Sequence, residues 1–282
     1  MAHLATPGER SPHRIVDPLV DTPPPPLSEI RGRLIAALLA LALIGVWEVL
    51  ARTHLISGTF LPAPSVILRT LADGVLSGEM LRALRVTLLR VLGGLVLGGS
   101  AGLVLGLAMG SSRSIRLVAD PVIAALHPVP KLALLPLFMM FFGLGESSKI
   151  IVVAAAAFFP MLLSAMAGVR QINQVHFDVA RSYGASRRQM LTRVVLPGSL
   201  PMVLMGTRLA ANVAFLSAIA VEMVSASTGL GAQLWFSWQV LRVDLLFATI
   251  TVIALLGVGL SAVLRGLARR GAPWLDEREI TI

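Results

Sequence analysis

Of the 282 residues in this chain, 56% are hydrophobic and 14% are charged, and the mean hydropathy is +0.82. A soluble domain is about 45–50% apolar, so the composition is that of a membrane protein, and with no cysteine it excludes disulfides, thiolate metal sites and a thiol nucleophile. The net charge of +9 could suggest nucleic acid, but aromatics are scarce, 5% of residues with the single tyrosine Tyr183, and leave no stacking platform for one, and an excess of arginine suits the cytoplasmic side of a membrane protein.

The first thirty-three residues, with the proline run Pro23–Pro26, read as a disordered cytoplasmic tail. No small-residue cleavage site follows the first apolar run, so the helix starting at Leu34 is expected to stay as an uncleaved anchor. Charges then mark off the spans. Eighteen residues between Arg33 and Arg52 contain only Glu48, and twenty-two between Arg90 and Arg113 contain no charge. A third run, Asp120 to Glu146, is interrupted by Lys131. Lys149–Arg170 and Asp244–Arg265 each enclose twenty uncharged residues, and Leu196–Val221 contains only Arg208. A helix crosses the hydrocarbon core with about 20 apolar residues, which predicts an all-α integral membrane protein of six spans over 34–270, ending in a cytoplasmic tail at 271–282. Arginines at 113, 116, 170–193 and 265–270 favour a cytoplasmic N-terminus, whereas Arg82 and Arg85 count against it.

The second span carries glycine at every fourth position from Gly94 to Gly110. Such a ridge lets helix backbones approach closely in lipid; it is either an intramolecular packing seam or a surface that slides or lines a path. The third span holds Pro121, Pro128, Pro130 and Pro136, with His127 and Lys131 among them. Proline kinks a helix, and irregular backbone at membrane depth needs protein or a water-filled cavity beside it. Lys131 either snorkels to an interface or faces a polar conduit. Arg208 and Glu222 invite the same two readings, and their positions near the ends of the fifth span favour a structural role.

Between the fourth and fifth spans lies a polar island, DVARSYGASRRQMLTRVVLP, from Asp178 to Pro197. Asn173 can cap a short helix that stops at Gly184, and Ser186 with Gln189 forms the capping box of a second. The residue before a proline is pushed out of the helical region, which predicts that the second helix ends before Pro197. Two short helices meeting at a glycine make a compact docking knob.

The knob's spacing resembles the EAA loop of ABC importer membrane subunits, E-A-A-x3-G-x9-I-x-L-P. Asp178, Val179, Ala180, Gly184, Val194, Leu196 and Pro197 fall at its offsets, with Asp for Glu, Val for Ala and Val for Ile. LPAPS (Leu61–Ser65), VPKLALLPLF (Val129–Phe138), FFGLGESSKI (Phe141–Ile150), FFP (Phe158–Pro160), GVR (Gly168–Arg170) and EMVSASTGLG (Glu222–Gly231) extend the likeness over residues 34 to 270. Together they resemble the nitrate, sulfonate and taurine branch of these permeases. The resemblance implies the six-helix type I ABC importer permease fold, with a cytoplasmic coupling loop at 171–200. It assigns ATPase coupling to Asp178, Ala180, Gly184, Ala185, Val194, Leu196 and Pro197. It also implies a paired permease, two copies of an ATP-binding subunit and an extracytoplasmic substrate-binding protein in the bacterial inner membrane. His127, Lys131, Ser164 and Asn212 are the candidates for the translocation path, although Ser164 stands where the branch is expected to favour asparagine.

The chain has only two lysines, Lys131 after a proline and Lys149 before an isoleucine, so neither completes the P-loop G-x-x-x-x-G-K-[ST]. Energy must come from a partner, and no cofactor is expected. The five histidines are scattered rather than set at metal-ligand spacing. A secondary transporter would need coupling acids within its spans, for which only Glu48 and Glu222 qualify, and it would tend to show a repeat between halves. A membrane enzyme would need convergent catalytic groups, and none stand out. The expected cargo is a small anion such as a sulfonate, taurine or nitrate.

Overall fold

The computed structural model describes residues 26–53 and 60–271. The N-terminal tail up to residue 25 and the C-terminal tail from residue 272 lie outside the described residues. Helix α1 (Pro26–Arg52) forms a unit of its own, separate from the helices that follow Thr59. It begins eight residues before Leu34, where the sequence placed its start, because proline fits a first helical turn, where its missing N–H has no partner to lose.

The second unit contains α2 (Pro64–Leu76), α3 (Glu79–Ser111), α4 (Arg113–Leu126), α5 (Leu135–Phe142), α6 (Glu146–Arg170), α7 (Gln174–Ser182), α8 (Arg187–Met190), α9 (Leu196–Ser225), α10 (Leu230–Gln239) and α11 (Val243–Gly271). Among the described residues, five helices are long and apolar enough to cross a membrane, and the bent pair α4 and Lys131–Phe142, counted as one span, makes six. Arg82, Arg85 and Arg90, expected before the second span, lie within α3, which starts at Glu79.

The third span is broken rather than kinked. Its two arms meet at 87°, with Lys131–Leu134 forming a 3-10 turn between them. Pro128 and Pro130 cannot donate to the carbonyls of Ala124 and Leu126, so the α-helical ladder stops. The Leu126 carbonyl accepts from Val129 N at 3.3 Å instead.

The centre of the unit is α6, packed against α3 on one side and α9 on the other. Val91, Val153, Ala157, Met161, Ala210, Ala214 and Ala218 form a continuous buried core across these three helices. Every glycine of the α3 ridge faces α6. A methyl group on Gly98 would lie 1.9 Å from the Ala154 carbonyl oxygen, and on Gly102 or Gly106 it would lie 2.4 Å from the carbonyl of Phe158 or Leu162. At Gly94 and Gly110 it would lie 2.4 and 2.6 Å from the side chains of Val153 and Val169. The ridge is therefore an intramolecular seam, the first of the two readings it allowed. On the other side of α6, a methyl on Gly206 of α9 would sit 2.4 Å from the Ser164 Cβ.

The expected break before Pro197 does not occur. After α8 the chain passes through a π-helical turn, Leu191–Val195, and enters α9 with Val195 and Leu196 both in right-handed helical conformation. In an α-helix Pro197 would owe a hydrogen bond to the Arg193 carbonyl and would clash with it. The wider π turn opens the register just before the proline, so helix continues from Arg187 to Ser225.

The seam predicts a sharp contrast between glycines. Gly98→Ala is expected to destabilise the unit by about 1–3 kcal/mol through overpacking. Gly259→Ala, with nothing within 4 Å of the added methyl, should change stability by no more than about 0.5 kcal/mol. Thermal unfolding of the two variants in detergent checks this; equal midpoints would show that the seam tolerates separation.

Candidate functional site: the knob, the broken span and a buried ion cluster

The knob is built from local hydrogen bonds. Asn173 Oδ1 accepts from the Val175 amide at 3.0 Å and opens α7. At the other end Gly184 is left-handed, with φ +67°. Its amide donates to the Arg181 carbonyl at 2.9 Å, and the Ala185 amide donates to the Ala180 carbonyl at 3.0 Å. This pair of bonds is a Schellman motif, which needs a left-handed residue at the glycine position. The spacing from Ala180 to Ala185 thus has a backbone reason.

Ser186 then begins α8 with a complete capping box: the Gln189 amide donates to Ser186 Oγ at 3.3 Å, and the Ser186 amide to Gln189 Oε1 at 2.8 Å. Asp178 accepts from Arg181 Nη1 at 3.2 Å and from Gln174 Nε2 at 3.4 Å. Both partners of the ion pair are largely exposed, so it contributes at most about 1 kcal/mol.

Val175 and Val179 of α7 and Tyr183 at its C-terminal end recur at every fourth residue and are all exposed, Tyr183 at 88%. They form an apolar stripe on an otherwise polar knob. Leu196 and Pro197 are exposed and Val194 is half-buried, so the residue that anchors the end of the motif is Val195, buried to 3%. Sequence reasoning missed Val195 because it stopped the helix there. Continuing the helical period backwards from the buried Ser199 and Gly206 would have found it.

His127 and Lys131 come together at the break in the third span, while Ser164 and Asn212 do not join them in any direct contact. The His127 ring meets Phe159 edge-on at 5.3 Å between centroids, and Lys131 Nζ lies 4.3 Å from the centre of the same ring. The ammonium also donates to the His127 carbonyl, and to the Leu126 carbonyl at 3.4 Å. These are helix-end carbonyls of the kind that attract a cation. Lys131 therefore does more than snorkel: it caps the end of α4 where the prolines interrupt it. An open groove of about 520 Å³, lined by Asp120, Pro121, Ile123, Ala124, His127 and Leu163, runs alongside. Ser164 is half-buried against Gly206, and Asn212 is exposed on α9.

At the opposite end of α6 and α9 from the knob lies a buried ion cluster. Arg90 is 1% exposed and Glu222 is fully buried. Arg90 donates from Nη1 to Glu222 Oε1 at 2.8 Å and to the Thr228 carbonyl at 2.6 Å. It grips Glu146 with two parallel bonds, Nε to Oε2 at 2.6 Å and Nη2 to Oε1 at 2.7 Å. The second oxygen of Glu222 accepts from Thr87 Oγ1 at 2.9 Å and from the Gly231 amide at 2.8 Å. Lys149 Nζ approaches Glu146 Oε1 at 3.3 Å. Glu222 takes the structural option left open for it; Arg90 served in the sequence only as a span boundary. Charges at the ends of three separate spans were visible, but nothing local paired them.

Known proteins place this architecture. Residues 98–276 match the family described as the binding-protein-dependent transport system inner membrane component. The taurine transport system permease protein TauC of Escherichia coli (strain K12) is 39% identical over 83% of this chain and 87% of its own length. SsuC of Bacillus subtilis (strain 168), named for aliphatic sulfonates transport, is 33% identical over 88% of this chain and 90% of its own. A chain from the crystal structure of an amino acid ABC transporter with histidines has the same fold, with a TM-score of 0.58 at 19% identity, covering 73% of this chain and 98% of that one. The chain is thus a multi-pass membrane subunit that does not itself hydrolyse ATP, which falls to a separate subunit, and it belongs to the permease family of binding-protein-dependent ABC importers.

Proposed function

We propose that this chain forms the membrane path for a small sulfonate, with taurine the first candidate. The observation that carries the substrate class is the 39% identity to a taurine permease across most of both chains, joined by 33% to a relative named for aliphatic sulfonates. Neither name speaks for nitrate. The path follows the break between α4 and α5, where His127 and Lys131 offer a donor ring and a cation beside the groove, and it extends to Ser164 and Asn212 on α6 and α9. The groove, lined by α4 and by Leu163 of α6, is open, which suits a pair of identical permeases closing it between them, each engaging one ATP-binding subunit.

The knob is the ATPase-coupling element in this reading, with Asp178, Ala180, Gly184, Ala185, Val194, Leu196 and Pro197 shaping it and the Val175–Val179–Tyr183 stripe as its apolar contact. Both termini and the 171–200 loop then lie in the cytoplasm, and residues 34–270 act as the transmembrane domain.

Two outcomes test the proposal. Complexes of two copies of this chain with two ATP-binding subunits, verified by mass and reconstituted with the binding protein, should accumulate labelled taurine or an alkanesulfonate only with ATP. Lys131→Met should lower that uptake about tenfold, the usual worth of one charge-assisted hydrogen bond. No ATP-dependent uptake of any sulfonate would end the substrate assignment, and full uptake by Lys131→Met would remove Lys131 from the path.

For the knob, Gly184 has open space around it, so only its left-handed backbone constrains it. Gly184→Val should cost about 1–2 kcal/mol and weaken co-purification of the ATP-binding subunit, whereas Gly184→Asn, which tolerates that conformation, should retain it. Equal retention by both would exclude the knob's shape from coupling. For orientation, a membrane-impermeant maleimide applied to intact cells should label Ser77→Cys and spare Ser186→Cys; the reverse pattern would place the knob outside.

A further inference from the structure

We infer that Arg90, with Glu146 and Glu222, is a positioning set that latches shut the end of the helix bundle opposite the knob. The cluster joins four elements that no other polar network ties together among the described residues: α3 through Arg90 and Thr87, α6 through Glu146, α9 through Glu222, and the start of α10 through the Gly231 amide and the Thr228 carbonyl. Its charges balance, with Arg90 and Lys149 against Glu146 and Glu222.

The arrangement is closed to alternatives. The space where a side chain at position 229 would sit is filled by the Glu222 carboxylate, 2.4 Å from a Cβ there, and Gly229 has φ +113°. Leu230 N donates to Thr87 Oγ1 at 2.9 Å, so even the turn into α10 is fixed by the cluster. Three guanidinium nitrogens and both carboxylates are satisfied only while these four elements stay together.

A buried ion pair adds little net stability over well-packed apolar residues, yet breaking it by removing one partner is costly. Such a cluster therefore works as a fastener with a defined release rather than as ordinary core packing. Release is feasible here because Glu146 has a side chain 55% exposed, in contrast to Arg90 at 2% and Glu222 at 0%. Water reaches the outer carboxylate first and can take over the guanidinium once Glu146 swings away. Glu146 follows directly on Gly143–Gly145, a turn that begins at the left-handed Gly143. The latch thus has a buried half, Arg90 with Glu222, and a solvent-facing half, Arg90 with Glu146. It rests on family membership and not on the identity of the cargo.

The test uses the absence of native cysteine. Ser148, fully buried beside the cluster, and Ser199, fully buried towards the knob, each accept a near-isosteric change to cysteine. In the full complex in nanodiscs, maleimide should label Ser148→Cys slowly. It should label it about tenfold faster when Glu146→Gln or Arg90→Lys is added, reflecting one lost charge-assisted bond. Ser199→Cys should be equally protected with and without those changes. With native Arg90 and Glu146, trapping the complex with ATP and orthovanadate should also speed labelling at Ser148→Cys.

Unchanged labelling at Ser148→Cys in Glu146→Gln would overturn the latch. So would faster labelling at both cysteines, which marks general loosening. Protection that persists in the trapped complex would reduce the cluster to a static fastening and overturn its role in the cycle. Glu146→Gln, a change at a half-exposed site, keeps the test valid if Arg90→Lys fails to assemble. None of these readings depends on sulfonate uptake, so failure of the substrate assignment leaves them intact.

Discussion

Helices gain no hydrophobic free energy by associating in lipid, where the surrounding tails are as apolar as leucine, so contact must come from packing. In this chain that constraint is met where α3 lies against α6. Five glycines one turn apart leave α3 without side chains along a line, and carbonyl oxygens of Ala154, Phe158 and Leu162 fill the space. Alanines and small residues repeat the device between α6 and α9. With α6 held between two close neighbours, the groups at its two ends, Glu146 and Arg170, have fixed positions relative to α3 and α9. Both the ion cluster and the knob depend on that.

Polar satisfaction is the second constraint, and it explains features that look unrelated. Backbone groups at membrane depth need partners within the protein. Where prolines remove donors, a cation or an altered helix supplies the remedy. Lys131 caps the carbonyls at the end of α4, and the π turn at Leu191–Val195 precedes Pro197. The same proline chemistry gives an 87° break in one span and an uninterrupted helix in another. The difference is spacing: Pro128 and Pro130 remove two donors within three residues, whereas Pro197 and Pro201 stand a full turn apart at the entry to α9.

Local features were legible in the sequence. The Asn173 cap, the Ser186–Gln189 box and the left-handed Gly184 each depend on bonds spanning fewer than six residues, and pattern alone located them. The glycine period identified a packing face, though not the helix it would meet. What could not be read was long-range pairing. Arg90 and Glu222 are separated by 132 residues, and each taken alone resembles an ordinary charge at a span boundary. Val195 was hidden for another reason, since a rule about residues before proline was allowed to override an apolar period that continued through it.

The two ends of the unit are linked by one piece of secondary structure. Helix runs from Arg187 in the knob to Ser225, and Glu222 lies in its last turn. At about 1.5 Å per residue, that stretch is on the order of 55 Å long, enough to cross the membrane with the knob still protruding. A force on the knob can be absorbed only at the π turn, where the helical register is already open, or carried along α9 as a tilt. Ala210, Ala211, Ala214 and Ala218 are fully buried along α9, so its middle has no slack in which to bend. Tilting then shears Glu222 against Arg90, which α3 holds through the glycine seam. The stiff seam is therefore what would turn a small rotation at the knob into a broken ion pair at the other end.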